Sequence, residues 1–215
     1  MSITQRKIEV DMYRSELQAD LSRYLETALG LGASRAAVVP VTDIPLDDRV
    51  VLKCRIPRCS GYGISANCPP NTVAPAEMRE ILANYEWSVF FSLDVDPAVI
   101  VRDRATVVER LTAQQQVFDV VADLESKAFY DGHYMAFGLG AGSCRHTYCS
   151  QTNDCMAVKG ERCRHPLKAR PSMEAVGIDV FRMMAQLGWE VYPTGSAIKA
   201  AEAQCGKFCG IVVVQ

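Results

Sequence analysis

Four cysteines fall between Gly138 and Glu174, at Cys144, Cys149, Cys155 and Cys163, with four, five and seven residues between them. One loop can carry thiols so spaced to a single inorganic centre. The segment adds two histidines and a Cys-Arg-His-Pro turn and has almost no apolar content, so a metal is what would order it. Four thiolates on one 4Fe-4S cluster carry net negative charge. Arg145, Arg162, Arg164, Lys168 and Arg170 lie among them in sequence, and cations there favour that anion and raise its reduction potential. Zinc is the alternative metal, but zinc sites bring their cysteines in closely spaced pairs and only the Cys144 to Cys149 gap is that short. His146 and His165 can replace a sulfur; more often a histidine beside a cluster supports the ligands from behind, so both stay out of the ligand set. Arg164, His165 and Arg170 are the candidates for that supporting role. The glycines of Gly138-Leu139-Gly140-Ala141-Gly142 would let backbone N–H groups approach sulfur, with a phosphate-cradling loop as the competing reading.

A first cysteine group, Cys54, Cys59 and Cys68, sits among Pro57, Gly61, Gly63, Pro69 and Pro70, and its Cys-Pro-Pro ending is similar to the Cys-Pro that closes bacterial ferredoxin loops. Three ligands leave a fourth position. A 4Fe-4S cluster there either takes a cysteine from elsewhere or keeps an open iron, a Lewis acid that can bind a small substrate. Cys205 and Cys209 are the candidates to close it, their other reading being small residues packed beside a strand. Ser143 and the three histidines form no triad or acid–base constellation.

The rest of the chain must position these loops. Its 215 residues, about half of them apolar, suit a single α/β domain over 1–215 with cysteine loops at about 52–71 and 138–171. A formal charge of -2 with no basic stripe argues against nucleic acid, and no run reaches the roughly 18 apolar residues of a membrane span. The start lacks the apolar run of a signal peptide, which leaves the cytoplasm as the expected location. In a reducing compartment nine cysteines, an odd number, point to metal or redox chemistry rather than to disulfides.

Residues 11–31 read as an amphipathic helix through Leu17, Leu21, Tyr24, Leu25 and Ala28, and 36–41 as a buried strand. Pro75 opens a helix, Trp87 to Val95 is a strand buried on both faces, and the longest helix spans about 98–130. With a strand at 134–139 this makes a strand, helix, strand unit suited to parallel pairing. Ser172 caps a helix through Leu187 with Glu174 in its first turn and Gly188 as its stop; Trp189 to Tyr192 and Gly210 to Val214 are the last strands. The fold class is therefore α/β, a mixed sheet flanked by helices with two long cysteine-rich metal-binding loops gathered at one end of the strands.

Leu52-Lys53-Cys54 through Cys59, Tyr62-Gly63 and Cys68-Pro69-Pro70, with Cys163-Arg164-His165-Pro166 running into Ala169-Arg170-Pro171-Ser172-Met173-Glu174-Ala175 and Gly177-Ile178-Asp179-Val180, resembles a prokaryotic family of uncharacterised cysteine-rich predicted metal-binding proteins of iron–sulfur type. The resemblance runs from about residue 46 to the C-terminus and implies that Cys54, Cys59, Cys68, Cys144, Cys149, Cys155 and Cys163 are metal ligands. It departs from a tighter Cys-x-x-Cys opening of the second group, since four residues stand between Cys144 and Cys149. The expected function is electron transfer to a redox partner protein through one or two 4Fe-4S clusters. The alternatives are an enzyme whose open iron activates a small-molecule substrate, and a protein in which zinc staples long loops. The sequence does not specify an oligomeric state.

Overall fold

The apolar run at 87–95 forms the strand expected of it, and the sheet grows on both sides of it. The computed structural model describes residues 5–8, 14–101, 106–194 and 197–215. Its strands β1 (Arg35–Pro40), β2 (Trp87–Val95), β3 (Phe137–Leu139) and β4 (Gly206–Val213) lie in the order β1-β2-β4-β3. The ladders are antiparallel, with Val89 between Val38 and Val212, and Leu139 opposite Ile211. This corrects the parallel pairing of the 87–139 unit. β2 and β3 do point the same way, but β4 is inserted between them as a central strand, its backbone paired with β2 on one edge and β3 on the other. The sheet's mixed character shrinks to one parallel bridge among the described residues, Gly140 with Ser172.

Side chains alternate across each strand, so the two faces build separate cores. Val89, Phe91, Leu93, Val212 and Val214 face the helices α1 (Arg14–Gly30) and α5 (Val107–Tyr130), which contribute Leu21, Tyr24, Val117, Val121 and Leu124. Phe90, Cys209, Ile211 and Val213 face α3 (Pro75–Leu82) and the segment from Met173 into α7 (Val180–Gln186), through Met78, Leu82, Ile178, Met183 and Met184. Helices thus cover both faces of the sheet, the α/β class in three layers. Among the described residues no helix is long and apolar enough to cross a membrane.

Several elements differ from the sequence reading, each for a local reason. Residues 52–55, expected as the start of the first cysteine loop, belong to α2 (Asp48–Arg55), which Asp47 caps by accepting from the Arg49 N–H at 2.8 Å. The long helix is divided into α4 (Pro97–Ile100) and α5, with 102–105 outside the described residues, as are 11–13 of the first helix. The helix expected over 172–187 is broken: Ser172 does accept from the Ala175 N–H at 3.2 Å, but Gly177 at φ +94° ends that turn and Asp179 caps α7 afresh. Glu174 does stand in the first turn of a short helix at 174–176, half-buried, where burial pushes its pKa up against hydrogen bonds from its own backbone and Ser172. Residues 189–192 form no strand, since Trp189 instead stacks on Phe90 at 5.3 Å and covers the second core.

The expectation for the glycines at 138–142 is also corrected. A Cβ on Gly140 would stand 2.6 Å from the Phe118 ring, and one on Gly138 would collide with Val121. These glycines let α5 lie close on β3 and the turn after it, which is a packing role.

Candidate metal centre

Cys54 sits in the last turn of α2, and the chain then folds back through a series of tight turns. Cys59 N–H donates to the Cys54 carbonyl at 2.9 Å, Tyr62 N–H to Cys59 at 3.0 Å and Asn71 N–H to Cys68 at 3.0 Å. Proline and glycine supply the bends, while each backbone bond ties one cysteine to its neighbourhood. Gly61 does here what was expected of the later glycines: its N–H donates to the Cys59 sulfur at 3.5 Å, and a Cβ on it would stand 3.2 Å from Cys68 Sγ.

The second group begins where β3 ends. Cys144 is the first residue of α6 (Cys144–Tyr148), Cys149 follows that helix, and Cys163 Sγ accepts from the His165 N–H at 3.3 Å. Four of the five cations placed among these cysteines by sequence find protein partners. Arg145 donates to the Thr152 carbonyl, Arg164 to Asp154 Oδ1 at 3.0 Å, Lys168 to Asp119 at 2.5 Å, and Arg170 to both oxygens of Glu125 at 2.7 and 2.9 Å. Arg164 also reaches the Cys149 sulfur, and His165 stacks on Tyr148 at 5.1 Å, so the three residues assigned a supporting role brace the loop.

Residues more than seventy positions apart bring the two groups back to back. Cys68 Sγ lies 3.3 Å from Ser143 Oγ, while Ser65 Oγ and Asn67 Nδ2 lie 3.5 and 3.4 Å from Cys144 Sγ. Ala66 N–H, from the same turn, faces the Cys155 sulfur. Burial pushes the Cys54 thiol up to about 11, with the Cys59 and Cys68 sulfurs adding to it. Burial likewise raises Cys68 and Cys144, against the hydrogen bonds from Ser143, Ser65 and Asn67. Cys155 is the exception: burial opposes it, but the N–H groups of Ala66, Val158 and Ala157 and the charge of Arg145 hold it low. Crowded, buried thiols of this kind ionise when a metal cation joins them.

The nine cysteines are all free thiols. Cys54 feels the charges of Cys59 and Cys68, and Cys144 those of Cys155 and Cys163, while Cys68 also feels Cys144, so the two groups adjoin; Cys149 lies beside Arg164. The contacts of the last two cysteines lie elsewhere: Cys209 Sγ rests on Met184 Sδ at 3.6 Å in the second core, and Cys205 faces the Glu190 carbonyl at 3.8 Å. Among the described residues no three Cys, His, Asp or Glu side chains close to the spacing of one metal ion. The fit to a metal group is therefore in donor chemistry and grouping, and one further atom supports it. Among the described residues the Tyr148 hydroxyl is buried without a hydrogen-bond partner, near Asp119, Cys144 and Arg170. A buried unpaired donor is costly, so a polar or anionic acceptor placed there would satisfy it.

Sequence reasoning missed Ser65, Asn67 and Tyr148. The signal available was a hydroxyl and an amide three residues and one residue before Cys68, and an aromatic immediately before Cys149. It also missed a cleft of about 330 Å³ between α2 and the 69–75 strap, lined by Tyr62 and Pro69 and so adjoining the first group. The family model described as predicted metal-binding protein, DUF2284, matches residues 37–212. Comparison with curated proteins and with solved structures gives no match. Since the match takes in most of the chain and both cysteine groups, the chain belongs to the predicted metal-binding protein family DUF2284.

Proposed function

We propose that this chain is an iron–sulfur redox protein that holds one or two 4Fe-4S clusters and passes electrons to a partner enzyme in a reducing compartment. The observation that carries the reading is the shared wall of the two thiol groups, where Cys68 meets Ser143 and Cys144 meets Ser65 and Asn67. When bound, such a cluster supplies one-electron chemistry at a potential set by charge, hydrogen bonds and solvent exposure. Cys54, Cys59 and Cys68 would hold one centre, and Cys144, Cys149, Cys155 and Cys163 the other. Ser143, Ser65 and Asn67 direct polar groups at the sulfurs between them, and Cys68 and Cys144, 7% and 8% exposed, keep that wall dry.

Iron and acid-labile sulfide counted on anaerobically purified protein test this. Two clusters give about eight iron per chain, and Cys68→Ser leaves about four if the groups are independent centres. A colourless protein with zinc in place of iron overturns the reading. A second reading is favoured by the cleft beside the three-cysteine group: an enzyme whose open iron binds a small substrate there. Added ligands would then perturb the visible spectrum, and a fourth cysteine on that centre would exclude it.

A further inference from the structure

Asp48, Val51, Leu52 and Arg55 line the cleft from α2. Their spacing of three, four and seven puts them on one helix face, about 10 Å long, with a charge at each end and two apolar side chains between. Leu52 is left 48% exposed there, and Tyr62 and Pro70 form the opposite wall. A volume of about 330 Å³ suits a small organic molecule, at the lower end of ligand sites.

The charges decide which end of a ligand goes where. Arg55 lines one end of the cleft and has no ion pair among the described residues, while the Arg58 guanidinium stands 5.5 Å over the ring of Tyr62 in the facing wall. Asp48 is at the far end. We propose that the cleft binds a small carboxylate with an apolar body, the carboxylate on Arg55 and the body on Val51 and Leu52. Arg55 offers a planar fork of donors that matches a carboxylate. The proposal deepens the second reading above, because Arg55 directly follows Cys54 and the anionic end would sit beside the first thiol group.

The probe is 4-fluorobenzoate, with neutral 4-fluorobenzamide as its control, followed by the fluorine linewidth in titrations of anaerobically purified protein. The benzoate binds saturably and at least five-fold more tightly than the benzamide. Arg55→Gln, an exposed substitution, removes that preference, and Val51→Trp, which fills the cleft, removes binding of both. Equal affinities, a preference that survives Arg55→Gln, or binding that survives Val51→Trp in a protein with unchanged melting temperature overturns the site. Extra broadening of the bound fluorine on reduction places it near paramagnetic iron. Charge-selective binding without that broadening retains the cleft site and overturns the open-iron reading.

Discussion

Arg170 was expected to support the metal group, and the structure puts it on Glu125. Its Nε and Nη2 donate to the two carboxylate oxygens at 2.9 and 2.7 Å, with the two side chains 19% and 20% exposed. The same guanidinium donates to the Pro166 and Ala169 carbonyls, so it clamps the return of the Cys163 loop onto α5. A bidentate, charge-assisted pair is stronger than a neutral hydrogen bond, but a fifth of each side chain stays wet, so the cost falls short of a fully buried pair. We expect a coupling of about 2 kcal/mol, which in a chain of this size is about 4–8 °C in melting temperature. Arg170→Gln, Glu125→Gln and the double variant, followed by thermal unfolding, form the cycle that isolates it. Arg170→Gln should cost more than Glu125→Gln, because it also releases two carbonyls. Both should lose metal faster to a chelator. A coupling below about 0.5 kcal/mol would refute the clamp, since solvent-exposed pairs give that little.

Three other outcomes follow from the packing. Asp20, fully buried, accepts from Arg6 and Arg23 and lies 3.0 Å from His133 Nε2. Burial opposes its charge, yet the Arg6 and His133 hydrogen bonds hold its pKa below the ordinary 3.8. Its stabilisation is therefore complete above that value and is lost as pH falls through the lower folded pKa. Asp20→Asn should cost about 2–3 kcal/mol near neutral pH, and the gap to wild type in urea midpoints should close in strong acid; a gap independent of pH would contradict this. Gly140→Ala should cost about 1–3 kcal/mol by driving a methyl into the fully buried Phe118, while leaving the iron content of the folded protein unchanged. Tyr148→Phe removes an unpaired hydroxyl, so the metal-free protein should be unchanged or up to about 1 kcal/mol more stable. In the metal-loaded protein the midpoint potential should become more negative, and an identical potential would remove the hydroxyl from the site.

The periodicities of the chain determined most of its elements. A period near 3.6 through Leu17, Leu21, Tyr24 and Ala28, and an unbroken apolar run at 87–95, are local patterns with one physical outcome each, and both elements formed as read. The candidate donors were legible for the same reason: seven closely spaced thiols carry their chemistry in their residue type. Pairing partners were not legible. Nothing local says that β4 enters between β2 and β3, because strand order is set by backbone pairing across long sequence separations and by how the helices pack over the sheet. The glycines at 138–142 likewise show a need for close approach without saying to what, and only the position of α5 assigns them to Phe118 and Val121. Tertiary structure alone set the two cysteine groups against each other through Ser65, Asn67 and Ser143, since contacts across more than seventy residues are decided by how the layers stack and not by the order of residues in either loop.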